Sequence, residues 1–124
     1  MKYRTRFIYL ISPNNISVNF YSDLRKILKT NKVSFFQLRL KNATNDKIIS
    51  ISKIIKKICH KYKVKFIIND NPFIAKKVNA DGCHLGQSDI TIKNARKILR
   101  KKIIGITCHN SLRLAKDALK NKFD

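Results

Sequence analysis

The sequence has 124 residues, 44% of them hydrophobic, which is enough for one domain with its own core. This composition excludes a disordered tail. The formal net charge is +21, because 28 lysines and arginines stand against seven acidic residues, all of them aspartate.

A charge of this size would suit binding to the phosphates of nucleic acid, nucleotide or membrane. However, lysine supplies most of the excess and is spread over nearly every segment, as codon drift toward A and T would produce. The basic stretches contain few aromatic residues and no motif for reading bases. We therefore expect no specific nucleic-acid partner, and a non-catalytic polyanion-binding module stays as an alternative.

Three cysteines occur, an odd number with no CxxC pair, and we find no secretory signal and no apolar run of about 18 residues. This pattern favours a protein of the reducing cytoplasm, without a membrane span.

Two hydrophobic periodicities alternate along the chain, as expected for strands followed by helices. The predicted strands are 7–12, 33–40, 64–70, 80–85 and 102–107. Five helices are predicted. The first contains Phe20, Leu24, Ile27 and Leu28, and the second contains the stripe from Ile48 to Tyr62 and is capped by Asn45 or Asp46. The others run from Pro72 to Val78, from Ile92 to Leu99 and onward from Leu112.

These five strand-helix units have no linker between them, so residues 1–124 are predicted to form a single parallel α/β domain. The apolar runs FIYLI and KFII predict strands that are buried on both faces. Two folds remain open: a doubly wound sheet, for which five strands is a complete number, and a (βα)₈ barrel, which typically needs about 250 residues.

In either fold the ligand site lies at the carboxyl ends of the strands. Gln37, Arg39 and Lys41 lie two apart at the end of the second strand, so an extended segment would place them on one face. Two cations so close together favour a bound phosphate or pyrophosphate. A solvated strand end is the alternative.

Two of the seven acidic residues, Asp70 and Asp89, follow the carboxyl ends of consecutive predicted strands. Carboxylates beside a phosphate site suit Mg²⁺, which is usually held by one or two carboxylates together with phosphate oxygens. We therefore predict Asp70 and Asp89 as metal ligands. Asp81 precedes Gly82 at the start of a strand and is interpreted as a turn residue.

Four segments together resemble the thiamine phosphate synthase family, which includes thiazole tautomerase relatives. They are QLRLK at 37–41, INDN at 68–71, ADGCHLGQSD at 80–89 and IIGITCHN at 103–110. YLIS at 9–12 is similar to the first strand of the family. The resemblance implies a partial (βα)₈ barrel, and an enzyme that joins hydroxymethylpyrimidine diphosphate to thiazole phosphate and releases pyrophosphate.

The resemblance also implies residue roles. Gln37, Arg39 and Lys41 would hold the pyrimidine substrate and its diphosphate, Asn69 would contact the pyrimidine, and Asp70 and Asp89 would bind Mg²⁺.

Thr107 stands where the family usually has serine. Together with Arg39 and Lys41 it forms the predicted catalytic set. His84 and His109 match family positions and are interpreted as packing or supporting residues rather than bases.

The later strands of the family, with a further lysine and glycine-rich phosphate-binding turns, have no counterpart in this sequence. We therefore expect a C-terminally incomplete barrel that could self-associate or be completed by a second polypeptide. A tautomerase-like relative and a catalytically inactive fragment are the alternatives within the family.

Overall fold

The computed structural model describes residues 7–86, 90–108 and 112–120. Its strands are β1 (Ile8–Ile11), β2 (Val33–Leu38), β3 (Lys65–Asn69), β4 (Gly82–Leu85) and β5 (Ile103–Ile106). Its helices are α1 (Phe20–Leu28), α2 (Asn45–Lys61), α3 (Pro72–Lys77), α4 (Ile92–Leu99) and α5 (Leu112–Lys120). Strands and helices alternate along the chain and the strand pairs β1–β2, β3–β4 and β4–β5 are parallel, so the predicted parallel α/β alternation is confirmed.

The chain divides into two compact units, Met1–Phe66 and Ile67–Asp124. In the first unit β1 pairs with β2 in parallel, with a register irregularity between Ile8 and Tyr9. In the second unit the last residues of β3 pair with β4, and β4 pairs with β5, both in parallel. Among the helices of the described ranges, none combines the length and the apolar character that a membrane span requires.

The prediction that both faces of the strands are buried is correct for β3 and wrong for β1. Phe66, Ile67 and Ile68 of β3 are fully buried. Around β1 four large apolar side chains are exposed: Phe7 (58%), Ile8 (46%), Tyr9 (39%) and Ile11 (54%). Within the described part of the first unit, β1 has one neighbouring strand, β2. The apolar side chains of β1 that β2 does not cover are therefore exposed.

The cap of α2 also differs from the prediction. Thr44, rather than Asn45 or Asp46, is the N-cap, and its hydroxyl accepts a hydrogen bond from the backbone N–H of Lys47 at 3.2 Å. Thr44 has the extended backbone that an N-cap requires, whereas Asn45 already begins the helix. In α1, Ile27 is exposed although its spacing predicted a core position, because Leu24 and Leu28 fill the buried face.

Candidate functional site

The segment after β2 is held to the segment after β1 by Ser12. The Ser12 hydroxyl accepts from the Arg39 backbone N–H at 2.8 Å and lies 3.2 Å from the Arg39 carbonyl oxygen, to which it can donate. The predicted strand extended to residue 40, but β2 ends at Leu38, because at Arg39 a side chain replaces the backbone partner. Further along, the backbone N–H of Lys41 donates to the Asn14 carbonyl oxygen at 3.1 Å.

Of the three predicted anion-binding residues, Gln37 alone lies within the strand. Gln37 is buried, with 3% of its surface exposed, whereas the Arg39 and Lys41 side chains are exposed. The chain bends at Lys41, and Asn42 has a positive φ of 55°. Because β2 ends at Leu38, the alternation of a regular strand does not extend to Lys41, and the shared face of the three side chains stays a prediction.

The buried amide of Gln37 has a side-chain partner. Its Nε2 donates to the Tyr9 hydroxyl oxygen at 3.1 Å, and the Tyr9 ring stacks on Phe35 with centroids 5.4 Å apart. A buried amide that lacks a partner is destabilising, so this bond both stabilises Gln37 and restricts its orientation.

In the second unit, a tight turn follows β3. Asp70 has a positive φ of 66°, its backbone N–H donates to the His84 carbonyl oxygen at 2.8 Å, and its side chain is exposed. Asn71 then caps α3, since its Oδ1 accepts from the Ile74 backbone N–H at 3.1 Å, and Pro72 occupies the first turn. Aspartate tolerates this left-handed conformation better than most residues, because its short polar side chain can hydrogen-bond locally.

Asn69, His84 and Gly105 form one row across β3, β4 and β5, since Asn69 pairs with His84 and His84 with Gly105. Neighbouring residues in parallel strands place their side chains on the same face. Thr107 follows β5 two residues after Gly105, and its hydroxyl lies 2.8 Å from His84 Nε2. The second unit therefore brings Asn69, His84 and Thr107 to one end of its strands.

The second predicted metal ligand, Asp89, lies outside the described residues, as does His109. Within the described ranges, no group of three or more histidine, cysteine, aspartate or glutamate residues could hold a metal ion. Asp70 is a single exposed carboxylate at the end of β3, with oxygen donors of the type that Mg²⁺ prefers.

The sequence did not indicate two of the supporting residues, Tyr9 and Ser12. Both lie in a segment that reads as an apolar strand, and their partners are 27 or 28 residues away. Only the pairing of β1 with β2 places Tyr9 opposite Phe35 and Ile11 opposite Gln37.

The family model described as thiamine monophosphate synthase matches residues 8–124. A thiamine-phosphate synthase from Pelagibacter ubique is 60% identical over 124 residues, covering 99% of this chain and 60% of the relative. One from Fusobacterium nucleatum is 41% identical over 106 residues, covering 83% of this chain and 51% of the relative.

Among solved structures, thiamine phosphate pyrophosphorylase from Pyrococcus furiosus matches with a TM-score of 0.84 and 28% identity, covering 97% of this chain and 57% of that one. This similarity confirms the partial-barrel prediction over the doubly wound alternative. The chain spans between 51% and 60% of the length of these relatives. On the family match and the Pelagibacter ubique relative, the chain belongs to the thiamine monophosphate synthase family.

Proposed function

We propose that the chain provides the diphosphate-binding part of a thiamine phosphate synthase, a transferase of thiamine biosynthesis. The reaction would join hydroxymethylpyrimidine diphosphate to thiazole phosphate and release pyrophosphate. The observation that carries this proposal is the position of the family motifs, each of which supplies polar side chains at the carboxyl end of its own strand. Both substrates are small molecules.

Arg39 and Lys41 are proposed to bind the diphosphate. Both side chains are exposed, while the backbone of each is anchored, Arg39 to Ser12 and Lys41 to Asn14. A guanidinium can bind two phosphate oxygens at once and an ammonium acts as a point charge, so the two cations would stabilise the charge that grows on a departing pyrophosphate.

Asp70 and Asp89 are proposed to hold Mg²⁺. The exposed carboxylate of Asp70, at a turn fixed by its backbone bond to His84, fits a hard cation. When bound, the ion would neutralise part of the negative charge of the diphosphate.

Gln37, Asn69 and Thr107 are proposed to orient the pyrimidine substrate. Gln37 is held by Tyr9, and Thr107 is held by His84, so neither side chain has to be ordered by the substrate alone. If pyrophosphate leaves before the new carbon–nitrogen bond forms, these residues need only position the reactants and stabilise charge, and no general base is required.

Purified chain mixed with both substrates and Mg²⁺ tests the proposal by pyrophosphate release, with Arg39→Ala as the impaired variant and Arg25→Ala in α1 as the surface control. Turnover that depends on Arg39 supports a synthase. Absence of both turnover and diphosphate binding would refute it. Diphosphate binding that is unaffected by Arg39→Ala or Asp89→Ala would favour a tautomerase-like relative instead.

Binding of the pyrimidine diphosphate and of an unrelated RNA, each titrated against salt, separates a synthase from a polyanion-binding module. Affinity for any RNA that falls steeply with salt, with none for the diphosphate, would favour the module. Selective diphosphate binding favours the synthase.

We further propose that the protein works in the cytoplasm and that it self-associates. Cys59, Cys83 and Cys108 are in the reduced, thiol form, which suits a reducing compartment. The exposed apolar side chains around β1 would favour association. Light scattering of the purified chain tests this second point: a monomer at all concentrations would contradict self-association.

A further inference from the structure

The imidazole of His84 lies across the neighbouring strand at Gly105. The two residues are paired between β4 and β5, and a Cβ atom placed on Gly105 would lie 2.7 Å from His84 Nδ1. That distance is shorter than real Cβ contacts allow, so any side chain at position 105 would displace the ring. Glycine at this position therefore permits the hydrogen bond between His84 Nε2 and Thr107 Oγ1 at 2.8 Å.

The backbone on both sides of this contact is fixed by main-chain hydrogen bonds. The Thr107 N–H donates to the Leu85 carbonyl oxygen at 2.9 Å, and the His84 carbonyl oxygen accepts from the Asp70 N–H at 2.8 Å. The separation of His84 and Thr107 along the backbone is therefore set by the pairing of β4 with β5.

We propose that His84 is a positioning residue that donates its Nε2–H to Thr107 Oγ1, so that the threonine hydroxyl donates its own hydrogen to an anionic oxygen of the substrate. The inference rests on the proposed function, which makes the substrate a diphosphate. A hydroxyl has one hydrogen and two acceptor positions. If the hydrogen pointed at His84, Thr107 would face the anion with its lone pairs. Donation from His84 fills an acceptor position and strengthens the donor on the other side.

The direction of the bond can be measured without substrate. Nitrogen NMR of the chain, using couplings from the ring carbon protons, reports whether each imidazole nitrogen carries a proton, and His84→Gln assigns the His84 signals. We expect a protonated Nε2 whose shift changes in Thr107→Val and is retained in Thr107→Ser. An Nε2 without a proton would overturn the proposal.

The functional consequence is tested by kinetics and by binding of the pyrimidine diphosphate. His84→Leu should lower kcat or diphosphate affinity about tenfold, and His84→Gln should restore part of it, because an amide Nε2–H can take the place of the imidazole donor. His84→Asn has a shorter reach and should restore less. Adding His84→Leu to Thr107→Val should cause little further loss, since His84 acts on the substrate through the Thr107 hydroxyl, which Thr107→Val has already removed.

His60→Leu in α2 is the matched control, because His60 is an exposed histidine outside the proposed site. A wild-type chain that neither binds nor turns over substrate would contradict the proposed function, while the NMR result would still decide the direction of the bond. An active wild type with an equally active His84→Leu variant would contradict the positioning role alone.

Discussion

Gln37 and Tyr9 are joined across β1 and β2 by a hydrogen bond in which the amide Nε2 donates to the phenol oxygen at 3.1 Å. Because Tyr9 also stacks on Phe35, the hydroxyl is held in place by a ring that cannot move freely. The amide of Gln37 is buried, and its bond to Tyr9 across this strand pair helps to fix its orientation.

Tyr9→Phe removes the phenol oxygen and keeps the stacked ring. We expect the free energy of unfolding to fall by about 1 kcal/mol, as for the loss of one partly buried hydrogen bond, and pyrimidine diphosphate binding to weaken several-fold. Urea unfolding and calorimetric titration measure the two effects. Tyr21→Phe, which removes a hydroxyl from α1, is the control. Equal unfolding free energies and equal diphosphate affinities of the two variants would show that the Tyr9 bond contributes to neither.

Two glycines in the β4–β5 pair should respond differently to alanine. A Cβ on Gly82 would collide with the Ile103 backbone carbonyl, which cannot move without separating the strands, whereas the three atoms nearest to a Cβ on Gly105 all belong to the His84 side chain. We expect Gly82→Ala to cost about 3 kcal/mol or more and Gly105→Ala about 1 kcal/mol. Thermal and urea unfolding would test the order, and a more damaging Gly105→Ala would contradict it.

The N-cap of α2 can be tested by substitution at Thr44 and at the two residues that follow it. Thr44→Ala should destabilise the protein by about 1 kcal/mol, because the backbone N–H of Lys47 loses its acceptor, and Thr44→Ser should be nearly neutral. Asn45→Ala and Asp46→Ala, measured in the same urea series, are the comparison. If either of these costs more stability than Thr44→Ala, Thr44 is not the residue that caps α2.

Much of the fold was predictable because hydrophobic periodicity reports which face of each element is buried, and the parallel alternation followed from it. The ends of individual strands were less predictable. β2 stops at Leu38 because Ser12, in a distant segment, supplies the partner of the Arg39 backbone N–H. Likewise, the exposure of Ile11 depends on how many strands flank β1, and no local pattern reports that number.

The candidate site shows the same division. Residue types at strand ends indicated Gln37, Asn69 and Asp70, since these chemical groups are unusual beside apolar strands. The partner of Gln37 was not predictable, because it depends on the register of β1 against β2. The ring of His84 reaches Thr107 only because residue 105 is glycine, a condition that becomes visible once the two strands are paired.

Asp70 allows the metal prediction to be separated from backbone effects. At a φ of 66°, glycine is unstrained and asparagine is tolerated at least as well as aspartate, so Asp70→Gly and Asp70→Asn should both fold with a stability close to that of the wild type. Both variants lose the carboxylate. We therefore expect the Mg²⁺-dependent part of diphosphate affinity to fall by at least about tenfold in each.

Titration of the diphosphate with and without Mg²⁺ measures that loss, and urea unfolding provides the stability control. Asp46→Asn, at an exposed carboxylate in the first turn of α2, is the matched variant and should keep the full response to Mg²⁺. If Asp70→Asn kept that response as well, the carboxylate would not be a metal ligand, and the left-handed turn after β3 would serve only to join the strand to α3.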